Sequence, residues 1–310
     1  MLPLFRFKPT ICWVDDDEIF LNAIRIGFKN KFHCLTFQKS ADALAFLSTY
    51  RSPLAEIALT KTFTESDLFD IKGHYPIEVD LNAITDLIHY PEKEHDIALV
   101  VSDYHMPHMN GAELFKALAS LPVKKILLTG AATPENAVEA FNAKLIHQFI
   151  KKRHDGSEDL TRCIDQLVDA YFQEKTDTLV HHLETGGTTL LSNPHFANFF
   201  NQWCRDNKIV EYFFIKRQAS FLTKDAAGKT RYFITMTEME QQQFLDEYDE
   251  SEPELKTLFK EVASGKKIPF FGLNKEPWEF HTSEWESHFY SAEPLPLQEG
   301  KKAYWVVVEE

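Results

Sequence analysis

Ala98-Leu-Val-Val-Ser-Asp-Tyr-His-Met-Pro-His-Met-Asn-Gly111 is the stretch whose reading decides the fold. The apolar run Ala98 to Val101 reads as a buried strand that carries one carboxylate, Asp103, to its C-terminal end. Pro107 and Gly111 mark a sharp turn, and Leu114, Phe115 and Leu118 then recur at helical spacing. Ligands sit outside the C-terminal ends of the strands in open parallel sheets, so an Asp there suits a nucleophile or a metal ligand. An Asp in isolation is equally an ordinary turn or cap residue. Its neighbours decide between these readings.

Upstream, Thr10-Ile-Cys-Trp-Val14 reads as another buried strand, ending in Asp15-Asp16-Asp17. A helical pattern through Ile19, Leu21, Ile24 and Phe28 follows. Adjacent carboxylates repel unless a cation relieves them. Helix capping accounts for one of the three, and a hard divalent cation, expected to be Mg2+, accounts for the cluster. His33 to Phe37 is a short strand, and Ser40 opens a helix through Ala43, Leu44, Phe46 and Leu47. Residues of about 50–96, punctuated by Pro53, Gly73, Pro76 and Pro91, read as an insertion with its own short helix over Asp80 to His89.

Downstream, Lys124-Lys-Ile-Leu-Leu-Thr129 is a strand ending in a hydroxyl. Gly130-Ala-Ala132 leaves little bulk beside it, and Thr133-Pro-Glu135 opens a helix. Leu145 to Ile150 is a fifth strand, followed by Lys151 and Lys152. Strands alternating with helices imply an α/β fold, a parallel sheet with helices on both faces.

The 310 residues leave room for two domains. A net charge of -14 disfavours a broad nucleic-acid footprint, which needs clustered Lys and Arg. Cys12, Cys34, Cys163 and Cys204 form no CxxC pair, so neither a zinc site nor a disulfide framework is indicated. No run approaches membrane-span length, and a cytoplasmic protein is expected.

Four successive strand ends thus bring carboxylates, a carboxylate, a hydroxyl and a lysine to one edge of one sheet. This set resembles the receiver domain of two-component response regulators, over about residues 8–155. The family's acidic pair corresponds to Asp15 and Asp16, and its D-x-x-M-P-x-x-x-G motif to Asp103 through Gly111. Its Ser/Thr corresponds to Thr129. Its lysine corresponds to Lys152 on the pattern of Phe149-Ile-Lys-Lys152, or to Lys151 on an ungapped count from Thr129. Arg153 stands where the family usually carries Pro. The interval from Asp16 to Asp103 is about twice the family's usual one, which the insertion explains.

The resemblance implies a flavodoxin-like, doubly wound five-stranded parallel sheet. It implies that Asp103 accepts a phosphoryl group from a sensor histidine kinase or phosphotransfer protein. Asp16, Asp103 and the backbone carbonyl of His105 would hold Mg2+, with Asp15 in support. Lys152 (or Lys151) and Thr129 would contact the phosphoryl oxygens, and Thr129 with Phe149 would form the switch. No separate enzyme is expected beyond the receiver's own phosphorylation and dephosphorylation.

The second half reads less directly. A helical pattern from Ser157-Glu158 through Leu160, Ile164, Leu167, Tyr171 and Leu179 suits a connecting helix over 156–187 that also helps dimerise the chain, as a coiled-coil seam. Gly186-Gly187 marks a linker. An α+β output module over 188–310 follows, with a helix after Pro194 and strands at Val210 to Ile215, Ala219 to Thr223 and Thr230 to Thr235. Helices near Glu238 to Tyr248 and Pro253 to Ala263 precede strands at Ile268 to Phe271 and Ala303 to Val308. No helix-turn-helix pattern occurs, and acidic residues outnumber basic ones here, so the electrostatic term for reading DNA is missing.

The layout resembles response regulators with a non-DNA-binding output, among them quorum-sensing regulators of the Lqs kind. A homodimer with a downstream protein partner is expected. A receiver controlling an enzymatic or nucleotide-binding output is the alternative, and a DNA-binding transcriptional regulator is a third.

Overall fold

The computed structural model describes residues 1–57, 60–62, 77–130, 141–152, 158–185, 190–215, 219–248, 255–298, 300 and 302–309. The expected helix at Thr133–Glu135, Arg153 and the Gly186-Gly187 linker lie outside the described residues. The chain divides into two compact units. One comprises Phe7–Ile57 and Tyr90–Lys175, the other Met1–Arg6, Ala58–His89 and Thr176–Glu310.

The first unit is built on five parallel strands: β1 (Thr10–Val14), β2 (His33–Phe37), β3 (Ile97–Asp103), β4 (Lys124–Thr129) and β5 (Gln148–Lys151). Their order is β2-β1-β3-β4-β5, the doubly wound order of the flavodoxin-like fold. Both β1 and β3 are buried along their whole length, as the continuous apolar runs demand. Alternate side chains serve opposite faces. Cys12, Val14, Val100 and Leu127 join a core with Ala43 and Leu47 of α2 (Ser40–Thr49) and Leu114 and Phe115 of α3 (Gly111–Ala117). Trp13, of opposite parity, meets Phe28 of α1 (Glu18–Phe28), with ring centroids 5.6 Å apart.

Strand β5 starts three residues later than its apolar run suggests. Leu145 and Ile146 pack into the α2–α3 core as approach loop instead of strand. The long helix α4 (Glu158–Thr185) contributes residues to both units, changing at Thr176. In the first unit its Tyr171 hydroxyl donates to the fully buried Asp96 carboxylate at 2.6 Å. Asp96 also accepts from Ser52 at 2.5 Å and Tyr50 at 3.2 Å. Leu160, Ile164, Val168 and Tyr171 are buried within the folded chain. Leu167 of the stripe read as a coiled-coil seam is only half-buried.

The second unit carries a six-stranded sheet in which every pairing is antiparallel. Phe5–Arg6 pairs with β6 (Ile209–Phe214), followed by β7 (Phe221–Asp225), β8 (Thr230–Thr237), β9 (Ala303–Glu309) and the short Glu293–Pro294. The middle strand begins at Phe221 instead of Ala219, because Ala219 has a φ of 48° and cannot extend it. Phe196 and Phe200 of α5 (Pro194–Asp206) pack on Phe221 and Phe233. Helices α6 (Glu238–Glu247) and α7 (Leu255–Ala263) meet around Phe244 and Phe259.

Candidate functional site

Strand register brings the site residues level. Val14 pairs with Ser102, and Asp103 pairs with Leu128, so the residues just past the sheet, Asp15 and Asp103, sit side by side. Carboxylate oxygens of Asp15, Asp16 and Asp103 all lie within 4.8 Å of one another. Asp15 is 1% exposed and Asp103 7%, whereas Asp16 faces solvent. The third acid of the triplet serves the helix instead. Asp17 caps α1, accepting from the backbone N–H of Ile19 and Phe20 at 2.9 and 3.1 Å.

Lys152 answers this charge. Its Nζ lies 2.7 and 2.9 Å from the two Asp15 oxygens and 3.7 Å from Asp103. The backbone N–H of Lys152 donates to Thr129 at 2.7 Å, which ties the end of β5 to the end of β4. Lys151 pairs with Thr129 in the sheet, and its side chain is exposed. Thr129 is buried at the end of β4, and Phe149 is half-buried against the α2–α3 core. His105 follows in the loop after β3, with its side chain exposed.

Burial pushes the Asp103 carboxyl above the ordinary range, against Lys152 and the backbone N–H groups of Tyr104 and His105. Burial likewise raises Asp15, and its hydrogen bonds from Lys152 and the Asp17 N–H only partly offset this. Burial also works against the Lys152 ammonium, but Asp15, Asp103 and Asp17 together outweigh it and hold its pKa above the usual lysine value. Desolvated carboxylates so close together favour a bound cation. The donor set is all carboxylate oxygen, the chemistry of a hard divalent ion, and it fits Mg2+.

The turn after β3 is held with equal care. Asn110 and Glu113 form a reciprocal capping box at the start of α3, both bonds at 2.9 Å. Ser40 donates to the Met109 carbonyl at 2.7 Å. A Cβ at Gly111 would overlap the backbone carbonyl oxygen of Asp103 and crowd Leu127 and Ser102. The motif's closing glycine is thus required by close approach to the very residue the motif delivers.

Sequence reasoning missed Phe20. Its ring lies 4.4 Å from Lys152 Nζ. Phe20, Lys152 and Asp103 line one cavity of about 770 Å³, with Ile24, Phe28 and Leu160 as apolar wall. The signal was local: a helix capped at Asp17 puts its third residue over the strand ends.

The family model described as "Response regulator receiver domain" matches residues 57–164, about a third of the chain. The matched stretch holds Asp103, Thr129 and Lys152 but not Asp15 or Asp16. Among solved structures, the response regulator LqsR of Legionella pneumophila is similar over 99% of this chain and 89% of its own, at 25% identity and a TM-score of 0.76. A CheY-like receiver domain protein from Methanospirillum hungatei JF-1 aligns with 54% of this chain and 98% of its own, at 20% identity and a TM-score of 0.37. The receiver domain of an HD domain-containing protein from Pseudomonas fluorescens Pf-5 aligns with 53% and 97%, at 17% and 0.36. No curated protein matches the chain.

Proposed function

We propose that this receiver-domain protein, structurally close to the Lqs-type response regulator LqsR, is a response regulator that accepts a phosphoryl group on Asp103 in two-component signalling. The observation that carries the reading is the convergence of Asp15, Asp16 and Asp103 beside Lys152. A sensor histidine kinase or phosphotransfer protein is the donor that the receiver domain implies.

In the reaction, an Asp103 oxygen attacks phosphorus, the bond from phosphorus to the donor nitrogen breaks, and an acyl phosphate forms. Asp15, Asp16 and Asp103, with the His105 backbone carbonyl, would hold Mg2+, which supplies positive charge at the phosphoryl oxygens. Lys152 adds a second positive charge. It trades its bond to Asp15 for the incoming phosphoryl oxygens, and Thr129 donates its hydroxyl to them. Lys152 is preferred over Lys151 because its ammonium already faces both buried acids. Movement of Thr129 toward the phosphoryl group and repacking of Phe149 would then convert a local charge into a changed surface.

The functional division is a receiver over 1–155 with its insertion at about 50–96, a connecting helix over 156–187, and an output module over 188–310 that engages a downstream protein partner, save that Met1–Arg6 and Ala58–His89 fold with the second unit. Switching would act through homodimerisation and through that output module, in the cytoplasm. No helix among the described residues is long and apolar enough to cross a membrane. In the test, the intact protein is incubated with Mg2+ and phosphoramidate. A mass gain of one phosphoryl group is expected, absent in Asp103→Asn. A gain that persists in the variant, or no gain in either, sinks the reading.

A further inference from the structure

We propose that Phe20 is a positioning residue for phosphoryl transfer, its ring holding the Lys152 ammonium beside Asp103. This rests on the reading of Asp103 as phosphoacceptor.

Three kinds of contact surround Lys152 Nζ: the Asp15 carboxylate at 2.7 and 2.9 Å, the Asp103 carboxylate at 3.7 Å, and the face of Phe20 at 4.4 Å from its centroid. The acidic contacts are directional hydrogen bonds and ion pairs. An aromatic face attracts an ammonium through its quadrupole without claiming a proton. Lys152 can therefore give up Asp15 for a phosphoryl oxygen while the ring keeps it at the site. Without the ring, the cavity that Phe20, Asp103 and Lys152 share would give the long side chain room to swing away. Lysine has considerable rotamer entropy to gain by doing so.

The placement of Phe20 is itself built. Asp17 accepts the Phe20 N–H at 3.1 Å, so the third acid of the triplet fixes the first turn of α1 and with it the ring. Buried Leu21, Ile24 and Phe28 hold the same helix against the sheet. Phe20 thus contributes through lysine, not by touching the reacting atoms.

The experiment compares full-length wild type with Phe20→Leu, Phe20→Trp, Lys152→Ala and the double variant Phe20→Leu/Lys152→Ala. Phosphoryl uptake from phosphoramidate with Mg2+ is followed in time. Phe20→Leu should slow uptake about 3- to 10-fold, the range of a half-buried cation–π contact. Phe20→Trp, which retains an aromatic face, should restore the rate. In the Lys152→Ala background Phe20→Leu should change nothing, because the coupling partner is gone.

An equal slowing in both backgrounds, a Trp variant as slow as Leu, or a Leu variant as fast as wild type would overturn the proposal while leaving Asp103 as the acceptor. A wild type that gains no phosphoryl group would end both readings. One readout is independent of phosphorylation. The Lys152 ε-methylene proton resonances should lie upfield from the ring current and move downfield in Phe20→Leu, and unshifted resonances in the wild type would contradict the contact.

Discussion

The two sheets of this chain handle polar side chains in different ways. In the parallel sheet they gather past the strand ends, where Asp15 and Asp103 are desolvated and bridged by Lys152. In the antiparallel sheet they serve turns, caps and ion pairs, with Arg231 bridging Asp225 and Glu309. Asp225 accepts from the N–H groups of Ala227 and Lys229 to close a turn. Thr237 and Glu240 cap α6, and buried Ser220 accepts from the Thr235 N–H. The space between is filled by rings, with Phe200 touching Phe196, Trp203, Tyr212, Phe221 and Phe233. Polar groups crowded together against desolvation and repulsion are where perturbed chemistry concentrates. Among the described residues, the group of acids able to hold a metal belongs to the parallel sheet.

The largest effect that would sharpen this contrast is Phe200→Ala. A fully buried ring at the centre of the aromatic cluster should cost about 3–5 kcal/mol on truncation. Denaturant unfolding would report it, with phosphoryl uptake retained while the protein is folded. If uptake were lost in step with stability, the chemistry would not be confined to the parallel sheet.

Next comes Gly111→Ala, which forces a methyl group onto the Asp103 carbonyl. Overpacking of this kind costs about 1–3 kcal/mol. Its distinctive sign is a loss of phosphoryl uptake out of proportion to the loss of stability, since the displaced backbone carries Asp103, the proposed phosphoacceptor. Proportional losses would make Gly111 a packing glycine only.

The smallest effect concerns metal and pH. Asp15 and Asp103 have carboxyl pKa values raised by burial. A raised carboxyl pKa means that the folded protein binds the proton more tightly than the unfolded chain. The stability these groups contribute therefore falls as pH rises from the ordinary carboxylate range through the raised folded values. Lys152 runs in the same direction at higher pH: its raised pKa gives stability that is present below the ordinary lysine value and lost as pH rises through the folded one. At neutral pH the metal-free protein should thus gain thermal stability from Asp103→Asn. Mg2+ at ten times its dissociation constant should add about 1.4 kcal/mol to the wild type. Scanning calorimetry with and without Mg2+ would show it, and a wild type indifferent to Mg2+ would break the link between desolvation and metal binding.

The same contrast explains what was legible in the sequence. The strands β1, β3 and β4 are short apolar runs ending in chemistry-bearing residues, so Asp15, Asp103 and Thr129 could be located by where hydrophobicity stops. Which of Asp16 and Asp17 caps the helix was left open by the sequence, and the structure gives that role to Asp17. Phe20 was not legible. Its role depends on a lysine far along the chain, and a lone aromatic at helical spacing reads as core. Nor was the strand Phe5–Arg6, whose two residues offer no period and whose partner lies at Tyr212 and Phe213. In the antiparallel sheet the β-branched and aromatic run of β8 marked its strand, but Arg231 pairs with Asp225 and Glu309 and Thr237 caps α6, and nothing in their spacing announces a ligand.

The most direct measurement is to locate the phosphoryl group. Protein treated with Mg2+ and phosphoramidate would be reduced with borohydride, which converts an acyl phosphate on aspartate to homoserine, then digested and sequenced by tandem mass spectrometry. Homoserine at position 103, and at no other acid, is the predicted result. Homoserine at Asp15 or Asp16, or an unmodified Asp103 in protein that has gained phosphate, would contradict the account.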